Sequence, residues 1–184
     1  MSCSETTQEL TLATTAGVPD IRLWLAPRDS VRPADWLARL TGLSANTLPL
    51  HRDANGKPWL DLPHSPLRFN WSHSQHWLLL AWSTETEAIG VDIEDAGRTQ
   101  RFDDLARRYF HANELARWQV QPDAACWLRL WTRKEAVLKA HGLGLRVDLR
   151  DLDASTNRVR HPALGDWSVA SLDGPDWIAS VSWR

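Results

Sequence analysis

Asp92 and Glu94 lie two residues apart in the run Ile89–Glu94 (IGVDIE). The pattern alternates as in a strand, so Ile89, Val91 and Ile93 face a core while Gly90, Asp92 and Glu94 share the opposite face. Two like charges side by side repel, and a cation relieves them. Hard carboxylate oxygens with open positions suit Mg²⁺, which is readily shared with substrate phosphates. Gly90 beside them reads as room left for a ligand. A solvated polar face on an edge strand is the other reading of the same pattern. Glu135 and Lys139 are four apart in Trp127–His141 (WLRLWTRKEAVLKAH), hence on one helix face. Leu128, Trp131 and Leu138 lie close to that face, which suits a third carboxylate and a phosphate-binding lysine; a surface ion pair is the plain alternative. Ser72-His73-Ser74 offers two hydroxyls and an imidazole to phosphate oxygens, or to its own turn. Lys57, just after Asn55-Gly56, is a single cation for a phosphate or for solvent.

The elements that must hold these residues follow from periodicity. Ile21–Leu25 reads as a strand closed by Pro27. A helix capped by Ser30 or a neighbour, with Pro33 in its first turn, runs through Trp36, Leu37 and Leu40 to Gly42. Residues 52–58 (RDANGKP) read as a loop. Leu67, Phe69 and Trp71 alternate with polar residues as one strand of a hairpin, and Trp77–Trp82 forms the other. After Ile89–Glu94 come helices over about Phe102–Tyr109, Asn113–Val120 and Asp123–His141, the last stopped by Gly142. Trp167–Leu172 and Trp177–Trp183 are strands joined by the turn Asp173-Gly174-Pro175. The order predicts an α+β fold, a pseudo-dimer of two similar small halves, residues 1–88 and 89–184, with a cleft where they meet.

Composition narrows the class. Of 184 residues, 43% are hydrophobic and 24% charged, as in ordinary soluble domains. A net charge of −2 provides no global field for nucleic acid. No apolar run is long enough to cross a bilayer. Met1–Gly17 lacks a basic start, contains Glu5 and Glu9, and reads as a frayed lead-in rather than a secretory signal. Cys3 and Cys126 fit neither a zinc site nor a disulfide framework, which predicts a reduced, cytoplasmic setting. The twelve tryptophans read mainly as packing. Only three of 21 basic residues are lysine, namely Lys57, Lys134 and Lys139, so each is a candidate for a place that needs a compact ammonium.

Taken in order, GKP (Gly56–Pro58), FNWSHS (Phe69–Ser74), IGVDIED (Ile89–Asp95), RYFHANE (Arg108–Glu114) and WTRKEAVLKAHGLGL (Trp131–Leu145) resemble the Sfp-type 4′-phosphopantetheinyl transferases. The resemblance covers roughly residues 50 to 145, and its signatures G-x-D-x-E and W-x-x-K-E-A-x-x-K stand about forty residues apart. It implies transfer of 4′-phosphopantetheine from coenzyme A to a serine of an acyl or peptidyl carrier protein, with release of adenosine 3′,5′-bisphosphate. It also implies Mg²⁺ on Asp92, Glu94 and Glu135. Lys139 would meet the pyrophosphate, and Ser72, His73 and Lys57 other phosphate oxygens. Glu114 matches a further acidic position near the site. Glu135 or a metal-bound water is the base for the serine hydroxyl. One departure is the short stretch between Leu25 and Leu40, where larger members carry a basic region; Arg28, Arg32, Arg39 and Arg52 are candidate substitutes. The arginines of Arg98–Arg108 are candidates for docking an acidic carrier, or a solvated helix face. Two halves in one chain make a monomer sufficient. The competing readings are a relative that holds coenzyme A or a carrier without chemistry, against which the four charged residues argue, and a nucleotide hydrolase, for which the P-loop pattern is missing.

Overall fold

Backbone pairing sorts the strands into two antiparallel four-stranded sheets and one small hairpin, seen in a computed structural model that describes residues 7–12, 18–63 and 65–184. The first sheet has the order β1-β2-β6-β5, with β1 Gln8–Thr11, β2 Arg22–Pro27, β5 Arg68–His73 and β6 Trp77–Ser83. The second has the order β7-β10-β9-β8, with β7 Ile89–Asp95, β8 Arg158–His161, β9 Gly165–Asp173 and β10 Trp177–Trp183. Between β2 and β5, β3 (Leu50–Arg52) and β4 (Pro58–Leu60) pair as a separate hairpin. The stretch 52–58, expected as a loop, is therefore the turn of that hairpin and its flanks.

Besides the short β3 and β4, two further strands escape sequence periodicity. Gln8–Thr11 is not a frayed lead-in: it pairs with β2 from Gln8↔Leu25 to Thr11↔Arg22. Its largely polar side chains gave no apolar alternation, because an edge strand is held by backbone bonds along one side. Residues 1–6 and 13–17 of the same stretch, including Cys3, lie outside the described residues. The other strand is β8, whose four residues carry only Val159 and His161 inward.

The helices are α1 (Pro33–Thr41), α2 (Phe102–Tyr109), α3 (Ala112–Val120) and α4 (Ala124–His141). Pro33 opens α1, where its missing N–H costs nothing. The cap is Arg32, whose amide donates to Asp35 at 3.2 Å, while Ser30 turns back to the Pro27 carbonyl at 2.8 Å. Asp123 caps α4 by accepting from the amides of Ala125 and Cys126. Gly142 ends α4 at a φ of 90°, a left-handed position that favours glycine.

Leu23, Leu25, Leu79 and Ala81 of the first sheet join Ile89, Val91, Ile93, Ala179 and Val181 of the second in one buried cluster. The two sheets thus share a core. On the first sheet's other face, Trp36 and Leu37 of α1 cover Trp24, Ala26, Leu78 and Leu80. On the second, α4 lies across β7, β10 and β9, with Val137, Leu138 and Ala140 packed on Val159, Trp167 and Val169. Six of the twelve tryptophans are buried and five half-buried, so their main work is packing; Trp59 is the exposed one. Among the described residues no helix is long and apolar enough to cross a membrane.

Candidate active site at the seam between the sheets

Strands β5 and β7 are edge strands of different sheets that pack against each other, outside either sheet's ladder. Side chains bridge them. The amide of Val91 donates to Asn70 Oδ1 at 3.1 Å, and Ser72 Oγ donates to Asp92 Oδ1 at 2.8 Å. Helix α4 closes over this seam because Gly90 has no side chain: a Cβ there would collide with the backbone of Ala136 and Ala140. The expectation that Gly90 leaves room for a ligand is therefore corrected. The space is taken by the helix, and that close approach brings Glu135 and Lys139 to Asp92. Ser180, opposite Asp92 in β10, is buried and meets Thr132 of α4 at 2.9 Å, another small-residue contact under the helix.

Asp92 is 6% exposed. Its Oδ1 receives Lys139 Nζ at 2.6 Å, and the same ammonium reaches Ser72 Oγ at 2.8 Å. Asp92 Oδ2 is buried with no hydrogen-bond partner, an unusual state for a carboxylate oxygen. Glu94, on the same face of β7, pairs with Arg98 Nη1 at 2.5 Å. Burial chiefly raises the pKa of Glu94; the Arg98 contact opposes this. Glu135 is pushed up to about 7, first by burial and then by the charge of Asp92, with Glu94 adding to it and Lys139 opposing it. The three carboxylates are thus near enough to feel one another, and Lys139 is the cation among them. Among the described residues no three of His, Cys, Asp and Glu stand in ligating geometry as they are. The chemistry of the set still fits a hard divalent cation: only carboxylate oxygens, one of them buried and unpaired, and a carboxyl that needs positive charge to ionise fully.

The other expected residues fall on either side. Lys57, on the β3–β4 turn, is half-buried and donates from Nζ to the Ala140 carbonyl in the last turn of α4. Burial lowers its pKa. With Arg52, Trp71, Glu135 and Lys139 it lines a cleft of about 250 Å³. His73 is exposed and lines a separate groove of about 1200 Å³ with Arg28, His76, Glu94 and Arg98. Among the arginines left open as nucleotide contacts, Arg28 therefore lines the groove with His73, and Arg52 lines the cleft with Lys57. Arg32 is tied up with Asp35, and Arg39 stacks over Trp24 at 4.9 Å.

Glu114 belongs to the core rather than to the cleft. It is fully buried against Lys134 at 2.8 Å, where both side chains are 0% exposed. Two residues escaped sequence reasoning. The sequence places Arg98 only in a candidate docking stretch, yet it is the ion-pair partner of Glu94. Asp95 holds the turn after His73, and its one signal in the sequence is a carboxylate of opposite parity at the end of the D-x-E strand.

The chain is similar to known proteins. The profile of the 4′-phosphopantetheinyl transferase superfamily matches residues 88–181. The 4′-phosphopantetheinyl transferase AcpT of Salmonella typhimurium is 38% identical over 132 residues, 68% of this chain and 67% of that protein. AcpT of Escherichia coli K12 is 34% identical over 165 residues, covering 80% and 83%. The transferase HetI of a Nostoc species is 36% identical over 150 residues, covering 77% of this chain and 62% of its own length.

Proposed function

The chain belongs to the 4′-phosphopantetheinyl transferase superfamily, and on that premise we propose that it moves the 4′-phosphopantetheine group of coenzyme A onto a serine of an acyl or peptidyl carrier protein, with Mg²⁺ and with release of adenosine 3′,5′-bisphosphate. The observation that carries the reading is the gathering of Asp92, Glu94, Glu135 and Lys139 from a strand and a helix at one seam.

Asp92, Glu94 and Glu135 would hold the Mg²⁺, and its fit rests on the unpaired Asp92 Oδ2 and the raised Glu135 carboxyl. When bound, the ion neutralises and orients the anionic oxygens of the pyrophosphate. The chain's own groups do the rest. Lys139, already at the seam, turns its ammonium to a pyrophosphate oxygen. Ser72, His73 and Lys57 receive other phosphate oxygens as donors. The carrier serine Oγ forms a bond to the phosphorus that bears pantetheine, and the bond from that phosphorus to the nucleotide's phosphate oxygen breaks. The hydroxyl proton passes to Glu135, the carboxylate that lines the cleft beside Lys139. Catalysis on this reading is positioning and electrostatics.

The finer architecture is part of the same proposal. Residues 1–88 and 89–184 are read as two halves of a pseudo-dimer, supported by one four-stranded antiparallel sheet in each and a helix on each outer face. One chain then supplies both sides of the cleft, which makes a cytoplasmic monomer sufficient. Arg101, Arg107 and Arg108 on exposed α2 and its cap are the candidate contacts for an acidic carrier, while Arg98 is drawn to Glu94.

The test is intact-mass measurement of apo carrier proteins from fatty-acid, polyketide and peptide synthesis, each incubated with the chain, coenzyme A and Mg²⁺. A gain of one phosphopantetheine on at least one carrier is expected. No gain on any of them overturns the proposal.

A further inference from the structure

Asp95, the last residue of β7, accepts from three consecutive residues of the β5–β6 turn. Ser74 Oγ reaches Oδ1 at 3.0 Å, the Gln75 amide reaches Oδ2 at 2.9 Å, and His76 Nδ1 lies 3.1 Å from Oδ1. The turn does not need these contacts to close. The Ser74 amide already bonds the Trp77 carbonyl at 2.9 Å, and the Trp77 amide reaches Ser74 Oγ at 3.2 Å. From the first sheet, Arg28 also fastens it, through its amide to the His76 carbonyl at 2.8 Å and through Nη1 to the Ser74 carbonyl at 3.1 Å. What Asp95 adds is a tie to the other sheet.

That tie matters because β5 and β7 belong to different ladders. Their relative position is set by side chains at three levels along the seam: Asn70 with Val91, Ser72 with Asp92, and the Ser74–His76 turn with Asp95. The middle link lies in the site itself and must reorganise when a phosphate draws on Ser72 and Lys139. Asn70 and Asp95 then remain as the fixed points, one on each side. Asp95 is the one next to His73, and both line the groove that also holds Arg28 and Arg98.

We propose that Asp95 is a positioning residue for coenzyme A: it fixes the Ser74–His76 turn, and through it Ser72 and His73, against the strand that carries Asp92 and Glu94. This rests on the coenzyme A reading above. Donors to a phosphate must be held to within a fraction of an ångström of their working place, and a carboxylate that takes three donors from one turn supplies that restraint.

The experiment is calorimetric titration of coenzyme A, with Mg²⁺ present and no carrier, into wild type, Asp95→Asn, His73→Ala and the double variant. Asp95→Asn is expected to weaken binding about tenfold, and less than about twofold when His73 is already alanine. In turnover the loss falls mainly on KM for coenzyme A. Ser74→Ala, which removes one of the three donors, moves binding the same way by less. Half-saturation by Mg²⁺ stays where it is in wild type. An equal loss in both His73 backgrounds overturns the proposal, because a general weakening of the fold would do that. A comparable shift in Mg²⁺ half-saturation also overturns it, since Asp95 would then act through Glu94. If wild type binds coenzyme A and Asp95→Asn binds it equally well, this inference fails alone. If wild type does not bind coenzyme A, the coenzyme A reading fails and takes this inference with it.

Discussion

Helix α4 offers two lysines to two carboxylates, five residues apart, and the pairs are finished to different degrees. Lys134 donates to Glu114 at 2.8 Å, to the Leu149 carbonyl at 2.9 Å and to the Leu152 carbonyl, which uses all three ammonium hydrogens. Glu114 in turn takes the amides of His111 at 2.8 Å and Ala154 at 2.7 Å. Both side chains are shut away from water, and every charge-bearing atom is answered. Lys139 and Asp92 stop short of that. Asp92 Oδ2 has no partner, the Lys139 side chain is 31% exposed, and Glu135 beside them has a carboxyl raised to about 7. A completed pair is scaffold, tying α3, α4 and the segment after it. An unfinished one, with a carboxylate oxygen left over, is where the proposed Mg²⁺ and pyrophosphate would bind.

The widest separation between the two pairs is expected in turnover. Asp92→Ala should lower the rate of carrier modification on the order of a thousandfold, the scale of losing one electrostatic contact to a transition state, while the melting temperature holds. A rate within a factor of a few of wild type would remove Asp92 from the site. Stability separates the pairs in the other direction. Lys134→Met should cost about 3–5 kcal/mol in denaturant unfolding, because it strands a buried Glu114, whereas Lys139→Ala should cost under about 1 kcal/mol, because water can enter. Equal losses would erase the distinction between scaffold and site. The smallest effect concerns pH. The Glu135 carboxyl sits near 7 in the folded metal-free protein against an ordinary 4.5. Between those values the folded state keeps a proton that the unfolded state has lost, so stability falls as pH rises through the window. The loss is at most about 3 kcal/mol, and Glu135→Gln should flatten it in unfolding curves taken across that range. An unchanged slope would mean that Glu135 ionises normally.

The parts of this picture that sequence reveals are the ones governed by local repeats. Alternation in Ile89–Glu94 puts Asp92 and Glu94 on one face, and four-residue spacing puts Glu135 beside Lys139. What it could not reveal is set by contacts between distant segments. Glu114 and Lys134 are 20 residues apart, and nothing along the chain tells their buried pair from a site pair. The scarcity of lysine was a usable hint, since Lys57, Lys134 and Lys139 each end on a specific acceptor. It did not say which of the three was structural. The edge strands β1 and β8 were missed for the same reason: what holds them is a neighbour's backbone, not their own pattern.

Gly90 carries a consequence for anyone who would redesign this cleft. Side chains around it can be exchanged, repacked or recharged, and rotamers can absorb the change. The contact at Gly90 is backbone against backbone, so no partner substitution on α4 can make room for even one methyl group. Position 90 therefore acts as a spacer of zero thickness. Any scheme that widens the cleft must leave it alone and borrow its space elsewhere.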